Sequence, residues 1–243
     1  MKAAGLSTLA AVVLVSCLPK LEPPPEAANK PVPIEAERKG VLWQETFERP
    51  DIASLGWGSP SKSNERELET VFRIVAEGDD HFLRARHDGR PETDGPEPPH
   101  FGRVWEEDAL KLSEACQLSW RWRVRQHPAP HEDPWVDLGA SIYVIFDLPG
   151  LFSGAKGFKL GWLQKPGPTG TKQRGIVQIP LRVDPSAGEW HEESVDLCAL
   201  HREYYGDDVS KVPLLYVGVV TDADNTESIA EADYAVLSLS KNP

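Results

Sequence analysis

With 243 residues, of which 22 are proline, 19 glycine and 8 tryptophan, the chain is rich in turn material and aromatic bulk and poor in stretches able to form helix. The formal net charge of −12 (26 Lys+Arg against 38 Asp+Glu) repels phosphate backbones and anionic lipid, so no nucleic acid is expected as a partner. Once a targeting and linker segment is set aside, about 200 residues remain, enough for one domain with a sizeable core.

Residues 1–16 hold a single cation, Lys2, and an apolar run from Leu9 to Val15 that is too short to cross a bilayer. A cleaved signal peptide is expected there. The Leu14-Val15-Ser16-Cys17 end resembles the bacterial lipobox, in which the cysteine is acylated and becomes the new N-terminus; the alternative is an ordinary secretory signal with a chance cysteine. Acyl chains add roughly 0.8 kcal/mol per buried CH₂, so a multiply acylated Cys17 stays in the membrane. Leu18 rather than an aspartate follows it, which by analogy with bacterial sorting rules points to the outer membrane. Residues 17–39 then carry Pro19, Pro23, Pro24, Pro25, Pro31 and Pro33 among Glu, Lys and Ala, too little apolar content for a core and the composition of a semi-extended tether.

A single domain is expected over residues 40–243. It opens on the alternating run Val41 to Phe47. Phe72 to Ala76 and Phe82 to Arg86 flank Glu77-Gly78-Asp79-Asp80 as a hairpin. Residues 88–100, with four prolines, read as a stiff surface loop. Cys116 to Arg125 is the clearest strand, with Leu118, Trp120, Trp122 and Val124 on one face and Ser119, Arg121, Arg123 and Arg125 on the other. Leu138 to Phe146 is apolar on both faces, the pattern of a central strand covered on each side. Phe158 to Leu163, Ile176 to Leu181, Trp190 to Leu197, Leu214 to Thr221 and Tyr234 to Ser240 bring the expected total to about eleven strands, with Ala199 to Tyr205 as one or two helical turns. Many short strands with uneven, turn-rich connections predict an all-β fold: two antiparallel sheets packed face to face, a sandwich of jelly-roll type rather than a closed barrel.

With Cys17 assigned to the anchor, Cys116 and Cys198 remain as an even pair in a chain expected to fold in an oxidising compartment. They form either a disulfide or two buried thiols.

Leu118-Ser119-Trp120-Arg121-Trp122-Arg123-Val124, Ile142 to Phe146, Gly188 to Glu193 and Gly218-Val219-Val220-Thr221-Asp222-Ala223-Asp224-Asn225-Thr226 together form a pattern. Over about residues 41–240 the chain resembles an uncharacterised family of exported bacterial domains of unknown function. The resemblance implies a β-sandwich related in outline to carbohydrate-binding modules and lectin-like domains, and no established activity. Members of that family carry a Gly-Asp-Asp-Tyr-Ala-Ala-Arg-like run before the central strand. Here Asp137 matches the second Asp, while Ser141 stands where the family has arginine.

The loop from Asp222 to Ser228 gathers hard oxygen ligands between strands. Asp222, Asp224 and Asn225 are the candidate ligands for Ca²⁺, the one cofactor considered, although the spacing is not that of an EF-hand. The competing reading is that Asp and Asn cap the turn through their own backbone. The Arg121, Arg123, Arg125 stripe either binds an acidic glycan through forked hydrogen bonds or pairs with carboxylates across the sheet. Trp57, Trp135 and Trp162 adjoin Gly, Pro or loop residues, where an exposed indole stacks on a sugar ring; packing in the core or under loops is their other role. Arg121, Arg123, Arg125, Trp135, Asp137 and Trp162 are thus the candidate ligand-binding set. His127 and His131 with Glu132 and Asp133 lack a third spaced ligand pair for a metal. Glu189, Glu192 and Glu193 are the nearest approach to a glycosidase pair, but alternation explains them as an ordinary strand. No Gly-x-Ser-x-Gly, His-Glu-x-x-His, P-loop or Cys-x-x-Cys is present. The expected function is a lipid-anchored envelope protein with a non-enzymatic binding domain for a glycan or another envelope component. The alternatives are a glycan-active enzyme on the same fold and a structural partner of an outer-membrane assembly.

Overall fold

The computed structural model describes residues 40–59, 68–91, 98–106, 109–148, 154–206 and 208–241. The signal segment, Cys17, the tether and part of the 88–100 loop lie outside the described residues.

The strands are β1 (Val41–Glu45), β2 (Phe72–Glu77), β3 (Asp80–Asp88), β4 (Phe101–Val104), β5 (Gln117–Gln126), β6 (Ala140–Asp147), β7 (Lys156–Leu163), β8 (Thr171–Gln173), β9 (Ile176–Val183), β10 (His191–Asp196), β11 (Tyr216–Val220) and β12 (Ile229–Ser240). One short helical turn, α1 (Leu68–Val71), precedes β2, and α2 (Leu197–Tyr204) follows β10. Sheet one runs β10-β5-β12-β3-β2, with β1 also paired to β12, and sheet two runs β4-β11-β6-β7-β9-β8. Every pairing is antiparallel except β7 with β9. The fold is the all-β sandwich that the alternation of short apolar runs predicts.

Period-two alternation decides what lies between the sheets. Leu118, Trp120, Trp122 and Val124 of β5 and Ala140, Ile142, Val144 and Phe146 of β6 all enter one apolar core that both sheets share. Tyr234 of β12 bridges the layers: its hydroxyl donates to the Val220 carbonyl at 3.0 Å and accepts from the Ser141 N–H at 3.3 Å. Cys116, at the start of β5, is bonded to Cys198 of α2, closing a sequence separation of 82 residues. The Asp196 carboxylate caps that helix by accepting from the Ala199 N–H at 2.8 Å.

Three differences from the sequence reading have physical causes. β4 and β8 are short and sit among Pro and Gly, below the length at which alternation is visible. β12 starts at Ile229, five residues before the expected Tyr234, because Ala230-Glu231-Ala232-Asp233 has little β propensity of its own and is held by pairing on both sides, to β3 and β5. At Val236, where φ is 51°, β12 exchanges β3 for β1 as its partner on one edge. A β-branched residue in that region is held by its surroundings, not by preference.

Candidate functional site

The outward face of sheet one carries the arginine stripe, and carboxylates of the same face answer it. Asp233 is fully buried (0% exposed) and accepts from Arg84 Nε at 2.7 Å and from Arg123 Nε at 2.6 Å. Glu77 takes the outer nitrogens of Arg84 at 3.1 Å and Arg123 at 2.8 Å. Arg125 pairs with Glu231 at 3.0 Å, and Arg121 lies 3.5 Å from Asp80. The Arg123 guanidinium also sits over Phe82 and Trp190, with ring centres at 5.1 and 4.7 Å. Arg121, Arg123 and Arg125 are therefore brought together on one sheet face, where Arg123 has its fork occupied and Arg125 is paired with Glu231, while Arg121 makes only loose contacts to Asp80 and Glu192.

The Asp222–Ser228 loop is held by a residue far away in sequence. The Asp137 carboxylate accepts four hydrogen bonds: at one oxygen from the Asn225 N–H (3.4 Å) and side-chain amide (3.1 Å), at the other from the Thr226 N–H and hydroxyl, both 2.7 Å. The Thr226 hydroxyl continues to Ser228 at 2.8 Å, and Ser228 accepts the Ala129 N–H at 2.9 Å. Asp137 itself adopts φ 51°, a region Asp tolerates better than most residues. The Asp224 N–H turns back to Asp222 Oδ1 at 3.4 Å, and the Asn225 amide also donates to Asp224.

This brings Asp137, Asp222 and Asp224 together, with ligand atoms within 4.8 Å of one another, the one such grouping among the described residues. Their oxygens are of the type a hard cation takes. Yet Asp137 has its lone pairs filled by the loop, and Asn225 turns its N–H toward the cluster. Any cation would have to be held by Asp222 and Asp224 with part of the clamp reopened. Burial, then the charges of Asp137 and Asp224, push the Asp222 carboxyl up to about 8. For Asp137 burial acts upward as well, but the hydrogen bonds from Thr226 and Asn225 outweigh it and leave that carboxyl below its usual value. His87 stands against the loop, its Nδ1 accepting the Ala223 N–H at 3.1 Å with Asp222 Oδ1 at 4.0 Å.

Beside Asp222 lies the outward face of sheet two. Strand pairing aligns Gly102, Gly218, Tyr143, Lys159 and Gln178 in one row across β4, β11, β6, β7 and β9. The Tyr216 ring lies along its strand over Gly218, so that a Cβ there would collide with the tyrosine hydroxyl. His100 meets Tyr143 edge-on at 4.5 Å between ring centres. Burial, then the charge of Lys159, hold the His100 imidazole down at about 4, so it is neutral at physiological pH. Lys159, Tyr143, His100 and Tyr216 were not singled out by sequence. The available signal was Lys159 as the lone charge in the apolar run Phe158–Leu163, flanked by Gly157 and Gly161.

Trp135 and Trp162 do not offer exposed rings, contrary to their role as stacking candidates. Trp135 (4% exposed) packs on Gly161 with Leu138 and Leu163 and donates Nε1–H to the Pro168 carbonyl at 2.9 Å. Trp162 (1% exposed) is in the core, its Nε1–H donated to the Asp184 carbonyl at 2.8 Å. Trp57 is buried too. In each case a glycine or proline neighbour marks close packing, not exposure. Glu193 accepts from Trp122 Nε1 at 3.2 Å and Arg182 Nε at 3.1 Å, while Glu192 projects to the opposite face of β10, so the two do not flank a common bond. Ser141 is buried, its hydroxyl donating to the Val220 carbonyl at 3.0 Å.

No family model matches the chain, and no curated protein matches it. Among solved structures it is similar to the catalytic domain of Humicola grisea Cel12A in complex with a soaked thio cellotetraose, at 12% identity over 69% of this chain and 84% of that one, with a TM-score of 0.39. It is likewise similar to a structure from a comparison of family 12 glycoside hydrolases and substitutions important for their thermal stability, at 12% identity over 70% and 86% of the two chains, with a TM-score of 0.38. At these values the likeness carries no argument about site or activity.

Proposed function

We propose that the protein is a cell-envelope component, anchored through acylated Cys17 at the outer membrane, whose sandwich binds a glycan without transforming it. The ligand lies on the outward face of sheet two. The observation that carries this reading is the row centred on Tyr143 and Lys159, with the Tyr216 hydroxyl at its level: an aromatic ring flanked by hydrogen-bonding groups is what a sugar requires. The arginine face, where Arg123 and Arg125 are engaged by Asp233, Glu77 and Glu231, is the less suitable surface. The resemblance to exported domains of unknown function belongs to the same proposal.

A second reading, a glycan-active enzyme, is favoured by one feature. Asp137 and Asp222 are neighbouring carboxyls driven to opposite sides of their usual value, the pattern of an acid and its partner. Against it, Asp137 has no lone pair left for a substrate.

The full chain in detergent, offered neutral and acidic polysaccharides with and without Ca²⁺, should bind a glycan and release no new reducing ends. Failure to bind any of them would sink the binding reading, and turnover abolished by Asp222→Asn would establish the enzyme in its place. For the anchor, Cys17→Ala should move the protein out of the membrane fraction, and unchanged partitioning would count against acylation.

A further inference from the structure

The face of sheet two holds a buried cation without an anion. Lys159 is 7% exposed; its ammonium donates to the Trp135 carbonyl at a long 3.3 Å and lies 5.9 Å from the centre of the Tyr143 ring. Among the described residues no carboxylate comes within ion-pair distance of it. An ammonium has three donors and is costly to bury unless paired, so a single neutral acceptor leaves most of its demand unmet. Asp222 is near enough for the lysine charge to bear on it but lies beyond ion-pair distance, so it does not close a salt bridge to the ammonium.

A second group on the same face is also unanswered. The Tyr216 hydroxyl is buried, in a residue only 3% exposed, and has no hydrogen-bond partner among the described residues. Buried polar groups are rarely left so, and an orphan one is a frequent sign of a missing ligand or water. The glycine at 218 is what lets that ring lie flat along β11, which sets the hydroxyl level with Tyr143 and Lys159. From Gly218 to Lys159 is two strand spacings, roughly 10 Å, with the half-buried Tyr143 ring between them.

We propose that this face seats the carboxylate of an acidic sugar, the carboxylate on the Lys159 ammonium, the sugar ring against Tyr143 and a sugar hydroxyl on Tyr216. The proposal rests on the glycan-binding reading above and narrows it to uronate-class saccharides. His100, neutral at physiological pH, stands edge-on to the same tyrosine ring and adds no negative charge that would repel such a ligand.

The test is calorimetric titration of the full chain in detergent with trigalacturonate and with the uncharged galactose trimer, at two salt concentrations. Trigalacturonate should bind at least tenfold more tightly than the neutral trimer, and its affinity should weaken with salt. Lys159→Met should lower the affinity for trigalacturonate at least tenfold and bring it to that of the neutral sugar, whereas Lys159→Arg should retain the preference and Tyr216→Phe should weaken both sugars alike. Equal affinity of the wild type for both trimers overturns the carboxylate assignment while leaving glycan binding intact; that comparison needs no variant to fold. Undiminished trigalacturonate binding by Lys159→Met overturns the seat. Absence of binding by either trimer, with a neutral polysaccharide still bound, overturns the uronate proposal alone, and absence of all binding overturns both.

Discussion

Replacing Asp137 by alanine removes the acceptor of four hydrogen bonds from a loop that begins 85 positions further along the chain, and the size of the effect follows from their geometry. The two bonds from Thr226, at 2.7 Å to a charged oxygen, are of the strong kind, ~1.5–3 kcal/mol each, while those from Asn225 at 3.1 and 3.4 Å are weaker. Because the bonds form and break as one unit they do not add, and the residue must also be kept at φ 51°, which alanine resists. Asp137→Ala is therefore expected to cost about 3–4 kcal/mol. Asp137→Asn, which tolerates the left-handed conformation and keeps one acceptor, should cost about 1–2 kcal/mol. The assay is urea unfolding with the disulfide intact, read at constant slope. A pH series adds a second readout: in the asparagine variant Asp222 loses its charged neighbour, so the deficit relative to wild type should shrink between pH 6 and pH 9. If Asp137→Ala lies within 1 kcal/mol of wild type, the clamp does not hold the loop and the reasoning fails.

Four further outcomes follow from the same contacts. The Asp222 carboxyl is raised from 3.8 to about 8, so the folded state binds the proton more strongly; its contribution to stability is complete below about pH 4 and is lost as pH rises toward 8, and Asp222→Asn should flatten that decline in a melting-temperature profile. Asp233→Ala strands Arg84 and Arg123 and should cost ~3–5 kcal/mol, whereas replacing all three together with apolar residues of similar volume should recover most of the loss; a triple variant no better than the single one would refute this. Reducing the Cys116–Cys198 bond should cost about 4 kcal/mol from loop entropy, measured as a shift in the urea midpoint, and no shift would refute the entropic account. With Asp137 engaged by the loop, a calcium chelator should leave the melting temperature unchanged; a fall of several degrees that Asp224→Ala abolishes would reinstate a cation at Asp222 and Asp224.

What was legible in the sequence follows the range of the forces involved. Alternation is local, so β5 could be read almost to the residue, with its arginines on one face and its tryptophans on the other. The partners of those arginines could not be read, because Asp233 and Glu231 belong to a stretch of alanines and acids that becomes strand only when β3 and β5 hold it from both sides. The acidic loop was visible as a cluster of oxygens, but its organising residue, Asp137, lies on another segment and joins it only through the fold. The tryptophans misled for a related reason: a glycine beside an indole permits close stacking of backbone on ring, as Gly161 does under Trp135, and sequence alone reads the same neighbour as a loop. Lys159 is not legible in the sequence, because a single lysine in an apolar run looks like an imperfection in the pattern until strand register shows what stands on either side of it.

The position of β12 sets an order of events for sheet one. It touches β5, β3 and β1, which makes it the centre of sheet one, and yet it is the last strand of the described residues. Sheet one therefore has no middle until residues 229–240 have been made, and β5, β3 and β1 cannot close around a strand that does not yet exist. Contacts of such long sequence separation form late and slowly. While residues 229–240 are still being added, β10–β5 and β3–β2 remain two separate pairs of strands, and the last strand to be made is the one that joins them into a single sheet.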